Sequence, residues 1–467
     1  MSLTRNSRNE RPPNPPGSVD TFADALPAGG TWINDWRPED DRFWNRIGRQ
    51  VARRNLSWSI FCEFLGFVVW QLWSIVVVLL PSAGFQLTTG QSFWLISLPS
   101  LVGATLRLPY TFMVGRFGGR NWTIVSALLL LIPTIGLSIG VNHPHLPFPV
   151  LLIIAATAGF GGGNFASSMA NISFFFPARE KGWALGLNAA GGNLGASVAQ
   201  FVVPIAVSLG ATIGLGLSIA GWLWVPLILL AAFGAYRSMN NLTHAKSDLA
   251  GSAAAVREPH LWLMALLYVG TFGSFIGFAG VFPKLIKDTF PQYSAIHLGS
   301  AAISLAFLGA LIGSLARPYG GKLADRFGGA PITAAAFIAM TIGALAVVLT
   351  LPLQSFVIFL LCFLFLFLAT GVGNGATYRM IPAIFAARAT VGDRVPYERK
   401  ASAALGIISA LGAYGGFVIP QILSLSARWT GSYAAAFYGF AASYLVLLIV
   451  TVAVYARGRG GLGGARV

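Results

Sequence analysis

Apolar runs long enough to cross a membrane recur along the whole chain, broken by short polar or proline-marked segments. One crossing of a bilayer needs roughly 20 apolar residues. The pattern predicts twelve such spans, at about 57–80, 91–115, 121–140, 148–176, 182–208, 213–236, 261–283, 297–321, 331–351, 355–386, 401–426 and 431–455. Pro81, Pro144, Pro147 and Pro352 mark breaks between them. The expected fold is an all-α membrane protein with twelve transmembrane helices in two six-helix halves, residues 57–236 and 261–457. A polar linker, 237–260, joins the halves, and polar tails, 1–56 and 458–467, flank them. In the first tail, Pro12-Pro13-Asn14-Pro15-Pro16 reads as extended chain. Residues 40–56 are predicted to form a short basic amphipathic helix on the membrane surface. The first 55 residues hold no early apolar core, so no cleavable signal peptide is expected.

The two halves repeat each other. Arg107 lies in the apolar run Phe93–Val114, nine residues before Arg116-Phe117-Gly118-Gly119. Arg317 lies in the run His297–Tyr319, nine residues before Arg326-Phe327-Gly328-Gly329. The two arginines are 210 residues apart, as are Gly163-Asn164 and Gly373-Asn374. Ala184-Leu185-Gly186 and Ala404-Leu405-Gly406 open two further matching spans. A charged side chain in mid-membrane is costly and marks a functional position by default. Two of them at equivalent positions of a duplicated half predict one central anion site built from both halves.

Composition agrees with a membrane protein: 10% of residues are charged and 55% hydrophobic, against about 25% charged in soluble domains. The net charge of +16 could suggest nucleic acid, but its distribution argues against that. With an even number of spans both termini share a side. Loops on that side carry Arg116, Arg120, Arg179, Lys181, Arg237, Lys246, Arg257, Lys322, Arg326 and Arg388 through Lys400, whereas the other side carries only Lys284, Lys287 and Arg428. That bias predicts cytoplasmic N- and C-termini and contact with anionic lipid heads, not nucleic acid. Cys62 and Cys362 fall inside spans and read as packing residues. No paired carboxylates, His/Cys cluster, Ser/His/Asp set or phosphate loop accompanies the spans, so no enzyme, metal or cofactor is expected. The five histidines lie in loops or at span ends. Glu63 is the one acid inside a span. A carboxyl that moves between burial and a nearby arginine can take up and release a proton, so Glu63 is the proton-coupling candidate. Its other role would be to anchor a helix.

Glycines crowd spans 4, 5 and 10, where they permit close helix packing. Asn164, Asn171, Asn188, Asn193 and Asn374 place amides among them. A buried amide needs a partner, either another helix or the substrate. Asn164 and Asn374 are substrate candidates.

Six spans, a central loop and six more spans, with Gly115–Arg120 and Gly320–Gly329 after spans 2 and 8, resemble the layout and signature loop of the major facilitator superfamily. The second loop, with Asp325-Arg326, is the better match; the first lacks the acid. Over about residues 55–455 the chain resembles the NarK-type nitrate/nitrite porter family. The resemblance rests on Pro99–Tyr110, Ala158–Pro177, Ala184–Gly195, Tyr268–Phe278 and Gly371–Pro382. It implies transport of nitrate and nitrite across the inner membrane by alternating access, without a bound cofactor, by a protein that works as a monomer. It also implies that Asn193 and Tyr268 hydrogen-bond the anion, while Phe272, Phe165 and Phe67 line the site. A guanidinium stays charged and offers two parallel donors to an oxyanion, the role expected of Arg107 and Arg317. Exchange of nitrate for nitrite is the leading expectation. Nitrate/proton symport through Glu63 is the alternative, with an anion channel or another small oxyanion further behind. Arg379, nearer the end of span 10, is expected to snorkel toward the headgroups.

Overall fold

The computed structural model describes residues 31–245, 255–387 and 394–456. Its long helices follow one another as α1 (Arg49–Leu79), α2 (Thr89–Phe117), α3 (Gly119–Gly140), α4 (Phe148–Phe175), α5 (Ala178–Ala211) and α6 (Gly216–Ser238). The second series is α7 (Pro259–Thr289), α8 (Phe307–Phe327), α9 (Gly329–Thr350), α10 (Phe356–Ala387), α11 (Arg394–Ala413, resuming as Gly415–Thr430) and α12 (Ala434–Tyr455). Ten helices among the described residues are long and apolar enough to cross a membrane. Outside those ten stand α2 and α8, of 29 and 21 residues. They carry Arg107 and Arg317, and that polarity lowers their hydropathy.

Local sequence fixes the helix ends. Thr88 caps α2 in a reciprocal capping box with Gln91. Pro259 opens α7, where its missing N–H is no loss. Helices α2 and α8 stop in the same way, at Gly118 (φ 88°) and Gly328 (φ 95°), in the two copies of the signature loop. Only glycine adopts such a φ without strain, so the duplication seen in sequence is also a duplicated backbone break.

Within the first half α1 packs on α5 and α2 on α4; within the second, α8 packs on α10 and α7 on α11. The halves meet along α2–α11, α5–α8 and α1–α7. Small residues set the closest approaches, as expected where lipid gives helices no hydrophobic reason to associate. A Cβ added at Gly103 of α2 would stand 3.0 Å from Gly162 Cα of α4.

The structure departs from the sequence reading in three places. The predicted span 297–321 begins instead as a hairpin, β3 (Ile296–Leu298) paired antiparallel with β4 (Ala301–Ile303). Gly299 (φ 62°) makes the turn, and α8 starts only at Phe307. The surface helix expected at 40–56 is absent as a separate element: α1 runs unbroken from Arg49. Residues 41–48 form two short helical turns just before it. Nor is the described part of the first tail, 31–56, simply polar chain. Ile33, Trp36, Phe43 and Trp44 are buried with Phe175 and Phe176 at the end of α4. Alongside, β1 (Trp32–Ile33) pairs in parallel with β2 (Asn241–Leu242) of the linker. The proline run at 12–16 and the tail 458–467 lie outside the described residues.

Candidate anion-binding site

Arg107 sits midway along α2 and is almost fully buried. Its Nε donates to the Gly162 carbonyl of α4 at 3.1 Å. Its Nη1 donates across the interface between the halves, to the carbonyl (2.9 Å) and hydroxyl (2.8 Å) of Ser409 in α11. The guanidinium carbon lies 4.5 Å from the Phe165 ring centroid and 5.3 Å from those of Trp70 and Phe272. Arg317, at the equivalent place on α8, is buried against the same two phenylalanines. Its guanidinium carbon is 5.8 Å from the Phe165 centroid, 6.0 Å from that of Phe272 and 5.3 Å from that of Tyr378. Its Nη2 donates to the Tyr268 hydroxyl at 3.5 Å. One charge from each half therefore faces a shared pair of rings.

Neither arginine pairs with a carboxylate. Among the described residues the ion pairs all lie elsewhere, so salt-bridging to Glu63 does not account for them. Arg107 Nη2 and Arg317 Nη1 are buried without any partner. A cation–π contact is worth about 0.5–2 kcal/mol, whereas the effective cost of burying an ion is several kcal/mol. The rings alone leave both charges under-compensated. An oxyanion between the free Nη2 and Nη1 supplies acceptors and opposite charge together.

The expected site residues mostly converge. Phe67 packs edge-on to Phe165 with centroids 6.1 Å apart, and Tyr268 stacks on Phe272 at 5.2 Å. The three asparagines are buried with both amide atoms unpartnered. Asn164 precedes Phe165 and packs on Gly66 of α1. Asn193 lies on α5 between Gly192, which abuts Glu63, and Gly195, which abuts Phe67. Asn374 lies between Gly373, against Thr271, and Gly375, against the Arg317 carbonyl. None of the three amides hydrogen-bonds a guanidinium. Three contact residues went unnamed in the sequence reading. Ser409 contributes a carbonyl, for which sequence carries no signal. Trp70 and Tyr378 were legible only as aromatics within a turn of Phe67 and next to Thr377. Arg379, expected to snorkel, pairs with Asp325.

Glu63 is fully buried one helical turn before Phe67. Ser168 of α4 and Asn188 of α5 both donate to its Oε2, while Oε1 has no partner. From the site, a seam joins the halves toward the ends of α2, α5, α7 and α11 remote from the termini. It comprises Thr105–Tyr414 (2.9 Å), Gln421 to Ser97 (2.7 Å), Ser197 to the Phe307 carbonyl (3.1 Å) and Gln200 to the Ala279 carbonyl (2.6 Å).

Two series of helices that meet around a buried, duplicated charge pair are the frame of a membrane carrier. Residues 61–420 match the Major Facilitator Superfamily. The chain belongs to that superfamily and, within it, to the NarK-type porters. It is 42% identical to the nitrate/nitrite transporter NarU of Escherichia coli (strain K12), over 91% of this chain and 96% of that one. It is 37% identical to a probable nitrate/nitrite antiporter, NarK2, of Thermus thermophilus, over 92% and 98%. Among solved structures, the inward-open xylose transporter XylE of E. coli shares the fold at TM-score 0.63 and 13% identity, covering 84% of this chain and 94% of that one.

Proposed function

We propose that the protein exchanges nitrate for nitrite across the inner membrane by alternating access, with both termini cytoplasmic. The observation that carries this reading is the pair of free guanidinium nitrogens, Arg107 Nη2 and Arg317 Nη1, one from each half, beside the same two phenylalanines. Nitrate and nitrite are small planar monoanions that only accept hydrogen bonds. They suit two donor groups between flat apolar walls, whereas a sugar would require many polar partners and a drug a wide apolar cavity. Relatives named as nitrate/nitrite transporters and antiporters support the substrate and the mode.

Exchange follows from charge. In an empty site two like charges face each other in a medium of low dielectric, which opposes closing the halves together. An anion between them removes the repulsion, so the loaded carrier reorients and the empty one does not. The seam from Arg107–Ser409 to Ser97–Gln421 is the closure that must open for access from the side remote from the termini.

The test uses purified protein in liposomes with no pH gradient, following external nitrate. Uptake that requires internal nitrite is the expected result. Equal uptake into empty liposomes contradicts exchange and favours a channel, and no nitrate flux with nitrite inside contradicts the substrate.

A further inference from the structure

The exchange reading leaves Glu63 without a task, although it is a buried carboxyl close to two buried cations. Its surroundings are specific. A cavity of about 10 Å³ is lined by Ser59, Glu63, Thr123, Ser126, Asn164 and Ser168, among others, room for about one water-sized body. Glu63 Oε2 accepts from Ser168 and Asn188. Three buried acceptors around it have no partner, Glu63 Oε1, Asn188 Oδ1 and Asn164 Oδ1, against one unpartnered donor, Asn164 Nδ2. Buried acceptors in excess of donors are an unfavourable arrangement. A single hydrogen on Oε1 turns that oxygen into the missing donor for a neighbouring amide oxygen.

The charges acting on Glu63 are Arg317 of α8 and Arg107 of α2, the anion clamp itself. Helices α3, α4, α5 and α6 face it with hydroxyls, amides, glycine and apolar groups. These include Thr123 and Ser126, Asn164 and Ser168, Asn188 and Gly192, and the Ala231 carbonyl that Cys62 reaches. Cys62 is the other titratable group in the cavity wall, and the Tyr268 and Tyr378 phenols stand beside the arginines.

We propose that Glu63 Oε1 is a proton site tied to the anion site: anion binding at Arg107 and Arg317 draws one proton onto Glu63, and anion release lets it go. The ionised carboxylate and the anion draw on the same two positive charges, so each weakens the other's hold. Protonation removes the competitor and leaves a neutral acid bonded within its own pocket. The proton comes from water and returns to water; no covalent bond forms. In nitrate/nitrite exchange the proton travels both ways and cancels. This rests on the anion clamp but not on exchange.

The test is calorimetry of nitrate binding to the purified full chain, at several pH values from about 5 to 9, in pairs of buffers with different ionisation enthalpies. Proton uptake rising to about one per nitrate is expected, with apparent affinity falling as pH rises, by up to about tenfold per unit. Glu63→Gln is expected to bind nitrate without proton uptake and with a flat pH profile. Ser168→Ala, which removes a donor to the ionised form, moves the uptake window to higher pH, while Cys62→Ala leaves it in place. Nitrate binding with no proton uptake at any pH overturns the proposal and leaves the clamp standing. Unchanged uptake in Glu63→Gln, or its loss in Cys62→Ala, also overturns it. No nitrate binding at all overturns both.

Discussion

At the scale of single residues, the two arginines differ in how they are held, and that difference orders the effects of mutation. Arg107 has three hydrogen bonds, two of them to carbonyls that no side-chain change removes. Arg317 has one, to Tyr268. Removing a hydrogen bond to a charged group costs about 1.5–3 kcal/mol, and each 1.4 kcal/mol is tenfold in affinity. Tyr268→Phe is therefore expected to weaken nitrate binding about tenfold to a hundredfold. Ser409→Ala, which leaves the Ser409 carbonyl in place, is expected to cost less than about tenfold. Equal effects in a binding titration would contradict this account of the asymmetry. The arginine pair was legible in the sequence because a charge repeated in two apolar runs has no other easy reading. Ser409 was not, because one of its acceptors is a main-chain oxygen that any residue would supply and the other a lone hydroxyl with no repeat to mark it.

Elements were legible wherever apolar length alone decides them, and misread where a local break wins. Gly299 turns residues 296–303 into a hairpin although their composition permits helix. The glycines of α4, by contrast, pack as closely as their crowding suggested, here against Gly103 of α2. Trp70 Nε1 donates to the Pro99 carbonyl at 2.9 Å, directly over the Gly103–Gly162 approach. A Cβ at Gly103 would come within 2.6 Å of that nitrogen. Gly103→Leu is expected to push α1, α2 and α4 apart and to cost about 1–3 kcal/mol, seen as a lower unfolding temperature in detergent. Because Trp70 also flanks Arg107, nitrate binding should weaken in the same variant. An unchanged melting temperature would mean that the three helices have slack at this point.

Over the whole molecule, the duplication in the sequence carries the expectation of two halves, but no such signal announces the N-terminal clasp. Residues 31–48 fold onto the α4–α5 turn and the linker. Trp44 donates to Glu180 at 2.9 Å, Arg49 pairs with Glu180 at 3.2 Å, and Arg179 pairs with Asp41 at 2.8 Å. Trp36 meets Phe43 and Phe175 edge-on, with centroids 5.2 and 5.5 Å away. Apart from Trp36–Phe43, these contacts join segments well over a hundred residues apart, and no periodicity within either segment reports them. The ion pairs are exposed enough to be worth little, so the buried rings carry the clasp. Trp36→Ala and Trp44→Ala are each expected to cost about 3–5 kcal/mol in thermal unfolding, with little change on adding salt. A small effect with strong salt dependence would assign the stability to the ion pairs instead.

The measurement that bears most directly on a single clamp shared by both halves is a nitrate titration of the purified protein beside Arg107→Lys and Arg317→Lys. Lysine keeps the charge but loses the planar fork. The expected result is one nitrate per chain, with each variant at least about tenfold weaker, as the loss of one or two charged hydrogen bonds implies. Two nitrates per chain, or either variant binding as tightly as the parent, would contradict it.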